Sequence, residues 1–130
     1  MKYIYLALLV ISSLSVYSQN CKVTGVFYDS KDIETSGEIK IETNKKGRLF
    51  IVLSKEFKTE EGPDLDIYLS KTETVDSTSS VRIQALVSLT GFQKYAVDKS
   101  INLSDYKYLV IHCTKWNHWY GTAKLEPCED

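Results

Sequence analysis

Residues 37–53 read Gly37-Glu38-Ile39-Lys40-Ile41-Glu42-Thr43, then Asn44-Lys45-Lys46-Gly47, then Arg48-Leu49-Phe50-Ile51-Val52-Leu53. In the first arm apolar and charged residues alternate with period two, the mark of a strand with one face inward and one in water. Asn44 to Gly47 is a turn signal. The second arm is apolar on both faces, which fits a central strand covered on both sides. The stretch is therefore a β-hairpin.

Its pattern extends outward along the chain. Residues 23–28 read as an earlier strand. Beyond the polar loop Glu60-Glu61-Gly62-Pro63, residues 64–69 alternate cleanly. Residues 71–80, with Ser77-Thr78-Ser79-Ser80, are the longest structureless stretch and the expected mobile loop. Further strands are expected over 82–89 and, after a turn at Gly91, over 93–97. A last hairpin pairs 108–113 with 119–125 through Thr114-Lys115-Trp116-Asn117. No segment from Gln19 onward carries a helical stripe, and there is no internal repeat or linker. Seven or eight short strands with turn signals between them define an all-β fold, an antiparallel sandwich or small barrel in one domain.

The first 18 residues read differently. Lys2 is followed by an apolar run from Ile4 to Ile11, and Val16-Tyr17-Ser18 offers a small residue just before a cut after Ser18, so residues 1–18 are expected to be a signal peptide. The apolar run is shorter than the roughly 20 residues a membrane-spanning helix needs. Residues 19–130 then form a secreted or periplasmic domain with no membrane span. One of the 16 basic residues, Lys2, and none of the 17 acidic ones lie in the leader, so the domain carries 15 − 17 = −2. That balance, without a basic block, gives no footprint for nucleic acid or anionic lipid. Lys45, Lys46 and Arg48 cluster because they flank a turn.

Three cysteines remain. Outside the cytosol, thiols that can meet oxidise. Domain termini often lie close together, which favours Cys21 with Cys128; Cys113 with Cys128 is the rival pairing. The odd sulfur is the lead to chemistry. On the strand 108–113, parity puts Leu109, Ile111 and Cys113 on one face and Tyr108, Val110 and His112 on the other. His112 therefore points away from Cys113, whereas Lys115, Trp116 and His118 follow the turn and could fold back toward it. An activated thiolate needs an electropositive neighbour and access to solvent; the competing reading is a small buried hydrophobe.

Other constellations are weaker. His112, Cys113 and His118 offer N, S, N ligands of the copper type, but parity separates them and the one methionine, Met1, lies in the leader. Glu60, Glu61, Asp64 and Asp66 lack the glycine-punctuated loop of a calcium site and read as a solvated acidic edge. No nucleophile elbow, zinc-protease helix, phosphate loop or dinucleotide glycine pattern occurs. Trp116, Trp119 and Tyr120 offer a platform for a sugar or a partner, although aromatics on a terminal hairpin more often pack core and edge. Asn102-Leu103-Ser104 is a glycosylation acceptor in a host that has the machinery.

Several blocks occur together in a telling order. Thr24-Gly25-Val26-Phe27 and Ser36-Gly37-Glu38-Ile39 precede Gly62-Pro63-Asp64-Leu65-Asp66-Ile67-Tyr68-Leu69. Then come Leu86-Val87-Ser88-Leu89-Thr90-Gly91-Phe92-Gln93-Lys94-Tyr95, Tyr108-Leu109-Val110-Ile111-His112-Cys113, and Tyr120-Gly121-Thr122-Ala123-Lys124-Leu125. Taken together they resemble the DM-thirteen domain, an electron-transfer domain often found beside DOMON domains in larger extracellular proteins. The resemblance covers roughly residues 22–125. It implies a β-rich domain whose characteristic single cysteine, with a proposed redox role, falls on Cys113. His112 stands where the family commonly carries a tryptophan.

The expectation is thus an exported redox or electron-transfer accessory domain acting through Cys113. Weaker cofactor-binding candidates are Trp116, His118 and Trp119, no cofactor is identified, and the partner would be a redox protein or an envelope component. The alternative is an envelope or extracellular binding module that uses the Trp116–Tyr120 turn while Cys113 fills the core. An independent enzyme is not expected, for want of a base–nucleophile or metal constellation.

Overall fold

A computed structural model describes residues 20–129. The expected signal peptide, residues 1–18, lies outside the described residues. The strands are β1 (Cys21–Asp29), β2 (Glu38–Thr43), β3 (Leu49–Leu53), β4 (Leu65–Ser70), β5 (Ser80–Ala85), β6 (Gln93–Ala96), β7 (Tyr108–Cys113), β8 (His118–Lys124) and β9 (Glu126–Pro127). Among the described residues the only helical element is one 3-10 turn, Leu103–Asp105, capped by Asn102. Eight strands lie in the order β5-β4-β7-β8-β1-β2-β3-β6, with the two-residue β9 added against β1, and they form a nearly closed antiparallel barrel.

The sheet turns its corner at β1. Its first part pairs with β2 from Cys21 to Val26, and its last part pairs with β8 from Phe27 to Asp29. Gly25 sits at that crossing, and a Cβ there would fall 2.6 Å from the Lys124 carbonyl oxygen. Only a residue without a side chain lets the two backbones approach so closely.

The remaining edges, β5 and β6, are not laddered to each other. The segment between them is stitched instead. Leu86 N donates to Leu65 O (2.9 Å), Val87 N to Tyr95 Oη (3.0 Å), and Ser88 N to Gln93 Oε1 (3.1 Å). Residues 82–89, expected as one strand, leave the sheet at Ala85 because their backbone turns to meet these partners. Closure of this kind removes most of the unpaired edge that would template aggregation.

Inward residues from every long strand fill the barrel, including Ile39, Ile41, Ile51, Ile67, Leu109 and Ile111. Each fully buried aliphatic of this size contributes about 1.5–3 kcal/mol. The outer side of β3 is covered by side chains rather than by a second layer: the Lys94 ammonium sits 4.7 Å and the Arg48 guanidinium 5.9 Å from the Phe50 ring centroid. The segment before β5 is without strand, yet it is tied down. Ser70 Oγ donates to Thr74 O (2.7 Å), Thr122 Oγ1 to Glu73 O (2.9 Å), and Asp76 Oδ1 accepts from the amides of Thr78 and Ser79. The polar Ser/Thr composition that reads as a loose loop serves here to satisfy its backbone locally.

Candidate functional site

Tyr108-Leu109-Val110-Ile111-His112-Cys113 forms β7 because its branched and aromatic residues suit a pleated surface. It lies between β4 and β8, and its last residue, Cys113, pairs with Leu65 on one side and His118 on the other. Cys113 is the free cysteine and is fully buried. Cys21 and Cys128 are joined at the opposite end of the barrel, with Cα atoms 6.0 Å apart. The sulfur that a redox role needs in contact with solvent is therefore under cover in the folded state.

That cover is built from several segments. A register shift in the β7–β8 ladder bulges Tyr120, which turns into the core and lies edge-on to His118 at 5.9 Å. Burial, and then the nearby Cys113 and Glu60, hold the Tyr120 hydroxyl above the usual phenol range. This hydroxyl donates to the Glu61 carbonyl (3.0 Å). The glutamate loop thus passes over the end of the barrel that holds Cys113. Gly62 makes the fit possible, since a Cβ there would stand 2.7 Å from Tyr120 Oη and 2.8 Å from Leu65 Cδ2. Beneath, Thr35 Oγ1 donates its one hydrogen to Tyr120 O (2.9 Å) and therefore accepts from Thr59 Oγ1 (2.7 Å).

The outer face of the same strands carries a polar network that the alternation pattern alone did not reveal. Asp66, read above as part of a solvated acidic edge, is only 2% exposed. Its carboxylate accepts from Arg82 Nη2 (2.9 Å) and from Thr114 Oγ1 (2.5 Å). Thr114 Oγ1 uses its one hydrogen in the bond to Asp66, so it accepts from Tyr68 Oη, 3.0 Å away. The readable signal was a carboxylate flanked by Leu65 and Ile67 in a strand.

His112 pairs with Asp66 across the β4–β7 ladder and packs edge-on against Tyr68 at 5.6 Å. Its Nε2 stands 3.2 Å from Asn117 Oδ1. An amide oxygen only accepts, so Nε2 carries the proton and Nδ1 is left bare, buried and without a partner. Burial pushes the His112 imidazole below its ordinary value.

Parity thus keeps His112 apart from Cys113 and His118, and the N, S, N set is not assembled. The other acidic residues are dispersed too: Glu60 Oε2 accepts from Glu34 N, and Asp64 offers its carbonyl to Thr114 N. Among the described residues, no group of three or more His, Cys, Asp or Glu stands in a metal-holding arrangement. No helix among them is long and apolar enough to cross a membrane, which says nothing of strands.

The three aromatics of the terminal hairpin do not share a platform. Trp116, at the turn, is 63% exposed; Trp119 is half-buried outside the sheet, edge-on to Tyr28 at 6.4 Å; Tyr120 is inside. Tyr28 itself has its hydroxyl pushed up to about 12 by burial and by the charge of Glu73.

A nearly closed antiparallel barrel with its terminal segments joined through Cys21 and Cys128 and with Cys113 buried at its far end defines a small all-β domain. The family model described as "Electron transfer DM13" matches residues 27–125, and the chain belongs to that family. No curated protein and no solved structure matches the chain.

Proposed function

We propose that this protein is an exported redox or electron-transfer accessory domain of the DM13 family, with Cys113 as its reactive group. Family membership carries the reading. The Cys21–Cys128 bond supports it by leaving Cys113 as the one thiol, and His118, directly across the ladder, supplies a nearby base. Residues 1–18 would direct export to a secreted or periplasmic location, and the partner would be a redox protein or an envelope component.

Burial sets the condition under which such a thiol works. The Glu60–Pro63 loop and the β7–β8 turn must move before the sulfur meets a partner, a local opening cheaper than global unfolding. In the exchange, Cys113 loses its proton to His118 or water and its sulfur attacks a partner disulfide. A new S–S bond forms to one partner sulfur, and the other leaves as a thiolate.

Labelling of Cys113 by a disulfide reagent along a urea series tests this. A redox role predicts labelling of native protein faster than global unfolding and nearly independent of low urea. Labelling that occurs only at the global unfolding rate would reduce Cys113 to a core residue.

The exposure of Trp116 favours a second reading, an envelope or extracellular binding module. Because Trp119 is half-buried, Trp116→Ala is the clean probe. A glycan and envelope-protein screen with hits untouched by that change would count against it.

A further inference from the structure

The opposite end of the barrel holds a cavity of about 550 Å3 between the β2–β3 turn and the segment that follows β6. We infer that it binds a small amphipathic anion: a compact apolar or aromatic body carrying one acidic group. The size falls in the range of about 300–1,000 Å3 typical of small-ligand sites.

Part of its lining is apolar. Leu49 and Ile101 are partly buried and pack onto the core, while Val97 closes the bottom. Its rim is cationic, with Lys46, Arg48 and Lys99 against a single carboxylate, Asp98, so the balance is 3 − 1 = +2. Among the described residues none of the three cations has a carboxylate within 4.0 Å, whereas the neighbouring lysines on this side, Lys40 and Lys94, are both paired with Glu42. Asp98 is already engaged, accepting from Ser100 N (2.9 Å) and Ser100 Oγ (2.7 Å), which with Arg48 holds its carboxyl below the usual range.

The walls are fixed before any ligand arrives. Asn44 Oδ1 accepts from the amides of Lys46 and Arg48 at 2.9 Å each, and Gly47 takes a φ of 77° that a side chain would resist. Val97 N donates to Leu49 O (3.0 Å) and joins the two walls. An apolar body covers the part-exposed Leu49 and Ile101, and its acidic group meets cations that no carboxylate among the described residues holds. A bare inorganic anion leaves those two side chains wet, and a neutral hydrocarbon leaves the rim unused.

The probe is 1-anilinonaphthalene-8-sulfonate, with amide shifts read by nuclear magnetic resonance on the purified protein and affinity read by calorimetry. The proposal expects shifts confined to residues 44–50 and 97–101. It also expects affinity that falls with salt and no comparable binding of orthophosphate. Reversing two exposed cations, Arg48→Glu with Lys99→Glu, should weaken binding about tenfold, while Lys55→Glu with Lys58→Glu at the other end leaves it unchanged. Circular dichroism confirms that each variant is folded. Shifts elsewhere or none, affinity indifferent to the Arg48 and Lys99 changes, or orthophosphate binding as tightly as the probe would each overturn it.

Discussion

Two buried polar residues on the outer face decide how this domain responds to chemistry at the scale of single side chains. Asp66 holds Arg82 and Thr114 while almost wholly covered. Asp66→Asn keeps the shape and removes the charge-assisted character of both bonds, so a stability loss of about 2 kcal/mol is expected in urea unfolding. A loss within error would show that the pair is ornamental. His112 is depressed below 6.5 by burial. The unfolded chain therefore takes up a proton that the folded one refuses, and this residue's contribution is intact above about pH 6.5 and erodes as pH falls below it. His112→Gln should flatten that part of the stability profile between about pH 5 and 7; a wild-type minus variant difference independent of pH would refute the assignment. The parity of Cys113, Ile111 and Leu109 was legible in β7, since alternation is a local property. The depth of Cys113 was not, because the Glu60–Pro63 loop and Tyr120, which cover it, come from elsewhere in the chain.

Between elements, the most demanding contact is the crossing of β1 over the end of β8. Gly25 has no room for a methyl group against the Lys124 carbonyl. Gly25→Ala should cost about 1–3 kcal/mol through backbone displacement. Hydrogen exchange should quicken at Phe27 to Asp29, which pair with β8, more than at the β2–β3 ladder. Uniform protection across both would place the strain elsewhere. The β7–β8 hairpin was readable from its turn residues, but its bulge was not. Inserting Tyr120 as an extra residue sends His118 inward with Cys113 and Trp119 outward with His112, and a bulge is set by what the two faces must bury.

For the whole molecule, the staple between Cys21 and Cys128 spans 107 residues of chain. In the loop-entropy picture a bridge of this span stabilises by about 4–5 kcal/mol. Replacing both cysteines with alanine should lower the urea midpoint accordingly and leave one titratable thiol, which Cys113→Ala then removes. Mass-spectrometric mapping of the unreduced chain checks the pairing, and a Cys113–Cys128 peptide would overturn it.

The all-β character, the hairpins and the inward face of β7 follow from the sequence alone, because period-two alternation and turn chemistry act between near neighbours. Closure around β1, the shielding of Cys113, the burial of Asp66 and the cavity that brings Lys46 and Arg48 to Lys99 were decided only by the fold. Each of these depends on which distant segments the shared core draws together, and burial is a property of that assembly rather than of any one strand.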